Sequence, residues 1–120
     1  MSTEHNPVEI ENAIRHCASR IANSVTVCGQ AYDLFLKADA AYDRAFAQAY
    51  LEAQGPAHER KYAAELATAK ERDEKDVRDA AYRFAERTSK AIEAELRAWQ
   101  SVGASVRQMY AVAGRGEGGY

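Results

Sequence analysis

The chain has 120 residues, of which 47% are hydrophobic and 28% are charged, and a length near 100–150 residues is typical of one domain. This length excludes a cofactor-binding domain joined to a separate substrate domain. With a net charge of -2 the chain is not strongly basic, so any contact with nucleic acid would have to use a local stripe of basic residues. Alanine, Glu, Lys, Arg and Gln dominate and the mean hydropathy is -0.54, which predicts long helices around a thin core.

The first predicted helix spans about 7–24. Asn6 can cap it, Pro7 suits its first position, and Glu9 completes a capping box. β-branched residues and a glycine follow, and they predict a turn or kink over 25–29. The apolar residues of this helix recur at spacings of three and four: Ile10, Ala13, Ile14, Cys17, Ala18 and Ile21.

The second predicted helix spans about 31–53. Its end is marked by the sequence Gln54-Gly55-Pro56, because glycine favours a left-handed helix cap and proline cannot continue a helix. Such a short connection predicts an antiparallel hairpin with the next helix. Its apolar stripe consists of Phe35, Ala38, Tyr42, Ala45, Phe46 and Ala49.

The third predicted helix spans about 57–112. Its charged segment 70–76 contains no apolar residue, which leaves two alternatives, a solvated helical span or a joint between two helices. Five acid-before-base pairs four residues apart support the helix, each by about 0.2–0.5 kcal/mol. They are Glu71–Lys75, Glu74–Arg78, Asp79–Arg83, Glu86–Lys90 and Glu93–Arg97. Its apolar stripe contains Tyr62, Leu66, Ala69, Val77, Ala81, Phe84, Thr88, Ala91, Ile92, Leu96, Trp99, Val102, Val106 and Met109.

These elements predict an all-α fold. We expect one domain over 1–113, an elongated, coiled-coil-like antiparallel hairpin with the additional N-terminal helix packed on its C-terminal half. The Gly-rich residues 114–120 are predicted to form a flexible tail. Because a two-helix arm buries little apolar surface, we also predict a homo-oligomer, with a dimer favoured.

The sequence predicts no enzyme, no cofactor and no metal site. His58 and Glu59 resemble the start of a helical zinc motif, but residue 62 is not the required histidine. Asp39 and Asp43 lie one helical turn apart and support only a third, weaker hypothesis, a small metal-dependent enzyme.

No segment has the roughly 18 consecutive apolar residues that a membrane span requires, and the first residues do not resemble a signal peptide. Cys17 and Cys28 are interpreted as two reduced thiols on helix faces. We therefore predict a cytoplasmic protein that does not associate with membranes.

Two candidate binding surfaces lie on the third helix. The segment 96–110 contains the sole tryptophan, few acidic residues and several small ones, and its predicted role is a protein interface, with packing against the first helix as the alternative. The interface residues are Trp99, Val102, Val106, Met109 and Tyr110.

The alternative function is DNA binding, because an aromatic residue near basic ones can stack on unpaired bases. The residues for that function are Arg78, Tyr82, Arg83, Arg87, Lys90 and Arg97.

The segment 96–107 (LRAWQSVGASVR) follows a long charged helix that contains YAAEL at 62–66. With its L-R-x-x-Q-S pattern, it resembles small, mostly uncharacterised helical proteins of actinobacterial bacteriophages, and the resemblance covers about 30–113. It implies a phage accessory protein in the host cytoplasm, of a group often encoded near recombination or single-strand-annealing genes. The predicted function is binding of a host or phage protein partner, self-association, or both; the alternative is a DNA-associated accessory factor of recombination.

Overall fold

The computed structural model describes residues 6–117, with side chains described up to residue 114. It consists of helices α1 (Pro7–Glu52), α2 (Ala57–Ala67) and α3 (Ala69–Glu117). Between residues 6 and 117 there is no strand, and the predicted all-α class is confirmed. Since α3 continues to Glu117, the first positions of the predicted tail are helical, and residues 118–120 lie outside the described part.

The chain forms two compact units. Unit 1 comprises Met1–Val25 and Thr88–Tyr120, and unit 2 comprises Thr26–Arg87. In each unit a stretch of α1 packs antiparallel to a stretch of the later helices. In unit 1, for example, the hydroxyls of Ser24 and Ser89 are 3.1 Å apart, and earlier residues of α1 meet later residues of α3.

The contact line between the paired helices, here called the seam, follows a seven-residue repeat. Buried or half-buried residues alternate at spacings of four and three, which is the pattern of a coiled coil. In unit 1 the seam comprises Ile10, Ile14, Cys17, Ile21, Ser24, Ser89, Ile92, Leu96, Trp99, Gly103 and Val106. In unit 2 it comprises Cys28, Ala31, Phe35, Ala38, Tyr42, Ala45, Ala49, Ala64, Thr68, Glu71, Lys75, Arg78, Tyr82 and Ala85.

Helix α1 passes through 25–29 without a break, so the predicted turn there is wrong. The predicted N-terminal helix is therefore the first part of α1, which continues to Glu52. The seam spacing explains the difference, because Ser24, Cys28 and Ala31 keep the four-and-three repeat across this stretch. β-branched residues and glycine lower helix propensity by up to about 1 kcal/mol each, a cost that tertiary packing overrides.

The expected single helix from residue 57 is interrupted at Thr68, which separates α2 from α3. The Thr68 side chain is 2% exposed, and its hydroxyl donates a 2.7 Å hydrogen bond to the carbonyl oxygen of Ala64. Such bonding to the carbonyl four residues earlier bends helices. The charged segment 70–76 is continuous helix, which is the first of the two predicted alternatives, a helical span.

The helix ends follow local sequence signals. The Asn6 side-chain oxygen accepts a 2.7 Å hydrogen bond from the backbone N–H of Val8, as the predicted cap requires. α1 ends at Glu52 and α2 begins at Ala57, around Gly55 with a φ of 106°. Across this connection the Arg60 guanidinium donates to the carbonyl oxygen of Tyr50 at 3.1 Å.

Within the described residues, no helix combines the length and the apolar character that crossing a bilayer requires.

Candidate protein-interaction surfaces

Unit 1 buries large apolar side chains in its seam. Ile10, Cys17 and Ile92 are 1–6% exposed. A Cβ added at Gly103 would lie 3.2 Å from Cγ2 of Ile10, so the glycine permits close approach of α3 to α1. Beside the seam, the Arg20 guanidinium donates to the Glu95 carboxylate at 2.7 Å. This unit therefore encloses its apolar residues and carries charge on the flank.

Unit 2 fills its seam differently. Among its described residues, the buried apolar side chains are those of Ala38, Ala64 and Ala85. Glu71 also occupies a seam position, and its Oε2 is a buried acceptor to which no described group donates a hydrogen bond. Alanine contributes little apolar area and a buried unpaired acceptor costs free energy, so the fully buried positions of this seam add little stability.

One flank of the unit 2 seam is apolar, and the register of the repeat locates it. In unit 1 the paired residues Arg20 and Glu95 each directly precede a seam residue. Two seven-residue repeats after Arg20, the same position of α1 is held by Leu34. Two repeats before Glu95, the same position of α3 is held by Ala81. This pair therefore takes the place in unit 2 that a salt bridge takes in unit 1.

Three further residues extend this flank. Val27 lies one repeat before Leu34 on α1, while Val77 and Phe84 lie four residues before and three residues after Ala81 on α3. These spacings place each residue on the same helix face as its neighbour. Val77 is 61% exposed and Phe84 is 67% exposed. We call this surface the lateral apolar face; it comprises Val27, Leu34, Val77, Ala81 and Phe84.

Polar and aromatic side chains contact one another at the unit 2 seam and directly beside it. The Lys75 ammonium lies 3.1 Å from Oδ1 of Asp39 and 5.2 Å from the centre of the Tyr42 ring. The hydrogen bond with Asp39 is the largest cause that raises the pKa of Lys75 above its ordinary value. The rings of Tyr32 and Tyr82 are 5.0 Å apart, which is ordinary aromatic packing.

The predicted interface on α3 divides into two parts. Trp99, Val102 and Val106 are half-buried in unit 1, in keeping with the alternative that they pack on the first helix. Met109 and Tyr110 are 63% and 62% exposed. The outer part is therefore the more exposed part of the predicted interface.

The residues predicted for DNA binding differ in their exposure and in their ion pairs. Nε of Arg78 lies 2.8 Å from Glu74 and Nε of Arg83 lies 3.1 Å from Asp79, as their predicted helical pairs require. A further member of the set, Tyr82, is half-buried, and burial is the largest cause that raises the pKa of its hydroxyl. The remaining members are exposed: Arg87, Lys90 and Arg97.

The weakest hypothesis, metal binding by Asp39 and Asp43, gains no geometric support. The Asp39 carboxylate pairs with Lys75, which competes with any cation for the same oxygen. Over the described residues there is no group of three or more His, Cys, Asp or Glu side chains that could hold a metal ion.

Only part of the apolar stripe predicted for the third helix lies in the seam. From Ile92 onward it overlaps the seam, but Leu66, Val77 and Phe84 lie outside it. The α3 seam positions of unit 2 that precede Tyr82 are charged, so an apolar pattern cannot identify them. They are Glu71, Lys75 and Arg78.

No known protein family matches this chain, and neither a curated protein nor a solved structure matches it.

Proposed function

We propose that this chain is a non-enzymatic accessory protein that binds a protein partner through exposed helical surfaces. The observation that carries the proposal is the exposure of Met109, Tyr110 and Val112 within about one turn of α3, each between 58% and 63%. Methionine and aromatic residues are enriched at protein interfaces. A helix that presents them to solvent is suited to recognition rather than to stability.

The position of these residues favours docking of a helix into a groove of the partner. Gly103 lies beside Ile10, and α1 begins three residues before Ile10, whereas α3 continues fourteen residues beyond Gly103. Met109 and Val112 are three residues apart and so share one face of α3. Anchors at spacings of three and four are how amphipathic helices bind apolar grooves.

The resemblance to bacteriophage proteins supports a host or phage protein as this partner, and the host cytoplasm as the place of action. Absence of a recognisable catalytic arrangement in the sequence supports a role in binding rather than in catalysis. The proposal assigns no cofactor and no metal to the chain.

Quantitative affinity purification with matched variants tests the proposal. The bait is the full chain, compared with Met109→Glu and Tyr110→Glu, which place a carboxylate on the apolar surface. Gln108→Glu is the control, because it adds the same charge at an exposed neighbouring position. We expect one protein that is retained by the wild type and the control and is lost from both disruptive variants. Equal recovery of every protein by all four baits contradicts the proposal.

DNA binding is a distinct outcome with its own measurement. Fluorescence anisotropy with single- and double-stranded oligonucleotides, titrated with salt, detects it, because phosphate contacts lose affinity steeply as salt rises. Salt-sensitive binding that is lost on substitution of Arg87, Lys90 and Arg97 by glutamine would replace the proposal with the DNA-associated function. No binding at low salt removes that alternative.

A further inference from the structure

We infer that a cleft beside the α2–α3 break in unit 2 docks a segment of a partner protein that carries both basic and apolar side chains. The cleft has a volume of about 550 Å³, within the range of roughly 300–1,000 Å³ that ligand sites occupy. It is separate from the α3 segment around Met109. The inference therefore goes beyond the proposed function, because it adds a second surface and the chemistry that this surface recognises.

The break at Thr68 explains why a concave surface exists here. The face of an uninterrupted helix is convex, whereas the cleft is lined from both of the helices that meet at the break. Its lining comprises Tyr62, Glu65 and Leu66 of α2, and Ala69, Arg72, Asp73 and Asp76 of α3. A group bound in this cleft therefore contacts side chains of two helices at once.

One end of the cleft is apolar and open to solvent. Leu66 is 81% exposed and Tyr62 is 62% exposed, and both lie on α2 within one turn of each other. An exposed leucine can cover the aliphatic stem of a long basic side chain, and the face of a tyrosine ring attracts its charged head. This end suits an apolar residue or the stem of an arginine.

The other end of the cleft is acidic. No salt bridge among the described residues involves Glu65, Asp73 or Asp76, whereas carboxylates elsewhere in unit 2 are paired with cations. Arg72 is the one basic residue of the lining, so three carboxylates face a single guanidinium. The lining thus carries two more negative charges than positive ones.

This charge selects the occupant. Nucleic acids and anionic bilayers present phosphate groups, which the carboxylates repel, and a second copy of the chain has a net charge of -2. A basic protein segment is attracted instead. Arginine fits best, because its planar guanidinium both stacks on aromatic rings and binds carboxylates with two parallel hydrogen bonds.

The spacing of the two ends limits the shape of the segment. Asp73 follows Leu66 by seven residues, which corresponds to about 10 Å along a helix axis. An apolar residue and a cation are this far apart when they lie two helical turns apart or three residues apart in an extended chain. A short segment with both residue types therefore reaches both ends of the cleft.

Fluorescence anisotropy with the full chain tests the inference. The probe is a short fluorescein-labelled peptide of arginine, leucine and alanine, compared with a second peptide in which serine replaces every leucine. We expect the first peptide to bind with an affinity that falls as salt rises, because exposed ion pairs are screened. The second should bind about tenfold more weakly, since it lacks the apolar contact.

Variants of the apolar end separate docking from general attraction between charges. Leu66→Ala should weaken binding of the leucine-containing peptide about tenfold. Leu51→Ala is the matched control, because Leu51 is 76% exposed and does not line the cleft, and it should leave binding unchanged. Both positions are exposed, so helical circular dichroism should equal that of the wild type in each variant.

Variants of the acidic end provide an independent measurement. The double variant Asp73→Asn and Asp76→Asn should weaken binding about fivefold, the effect of losing two exposed ion pairs. The double variant Asp33→Asn and Asp43→Asn removes the same charge from α1 outside the cleft, so it should bind as the wild type does.

Three results would overturn the inference: no binding of the leucine-containing peptide at low salt, equal affinity for both peptides, or equal losses in the cleft variants and their controls. A wild-type dimer in sedimentation velocity that Asp73→Asn and Asp76→Asn dissociate would also overturn it, because the occupant would then be a second copy.

The proposed function is tested separately. Met109→Glu should bind the leucine-containing peptide as tightly as the wild type does, because Met109 does not line the cleft. Failure of the purification experiment therefore leaves the cleft result standing, and failure of peptide binding leaves the role of Met109 and Tyr110 untouched.

Discussion

The two units share one packing geometry but differ in the side chains that they bury. In both, antiparallel helices pack with the same four-and-three repeat, but unit 1 buries Ile10, Cys17 and Ile92 while unit 2 buries alanines. The flanks of the two seams differ in polarity as well, because unit 1 carries a salt bridge at the positions where unit 2 carries Leu34 and Ala81. The repeat thus sets how helices pair, while the residues at and beside it decide whether apolar surface is enclosed or offered to a partner.

The largest expected effect tests the enclosed core of unit 1. Ile92→Ala removes a buried side chain, so it should lower the free energy of unfolding by about 2–5 kcal/mol. Leu66→Ala in unit 2 removes a side chain that is 81% exposed, so it should change the same quantity by less than about 0.5 kcal/mol. Urea unfolding followed by circular dichroism measures both values. Similar losses in the two variants would show that the contrast in packing is wrong.

A smaller effect comes from two glycines inside helices. Gly29 in unit 2 has open space where a Cβ would lie, so Gly29→Ala should stabilise the protein by about 0.5–1 kcal/mol through helix propensity. At Gly103 the added Cβ would lie 3.2 Å from Ile10, and overpacking offsets that gain. We expect the stability of Gly103→Ala to be at least about 1 kcal/mol below that of Gly29→Ala.

Paired thermal and urea unfolding of the two glycine variants, with the wild type as reference, measures this difference. A Gly103→Ala variant as stable as Gly29→Ala would mean that α1 and α3 do not approach closely in unit 1.

The smallest effect is a pH dependence that belongs to unit 2. Burial, with Glu86, raises the pKa of Tyr82 above 10.0, and the hydrogen bond with Asp39 raises the pKa of Lys75 above 10.5. Because both pKa values are higher in the folded state, the stabilisation is fully present below these ordinary values and is lost as the pH rises through the folded ones. Unfolding midpoints should therefore fall from about pH 10 upward.

The double variant Tyr82→Phe and Lys75→Gln is the control for this pH dependence. Its unfolding midpoint, measured by circular dichroism along the same alkaline series, should fall less steeply than that of the wild type. An identical slope would assign the alkaline loss to other groups.

Local interactions made much of the fold predictable. The cap at Asn6, the connection at Gly55 and the pairs Glu74–Arg78 and Asp79–Arg83 all form within a few residues of the chain. Such contacts depend little on the rest of the molecule, so residue types and spacings are enough to identify them.

The candidate surfaces were less predictable. Met109 and Tyr110 belong to the predicted interface and are exposed, but Trp99 of the same segment is half-buried. The sequence does not identify Leu34 as exposed, because its exposure follows from which face of α1 meets the neighbouring helix. Nothing in the spacing of a single helix determines that choice.

The sequence by itself determined that the chain is helical and where the α1–α2 connection lies, since helix propensity, capping and turn formation are local properties. Only the tertiary structure decided that α1 continues through 25–29 and that Val77 and Phe84 stay outside the seam. These outcomes depend on pairing between distant parts of the chain. There packing outweighs a local preference that is worth at most roughly 1 kcal/mol per residue.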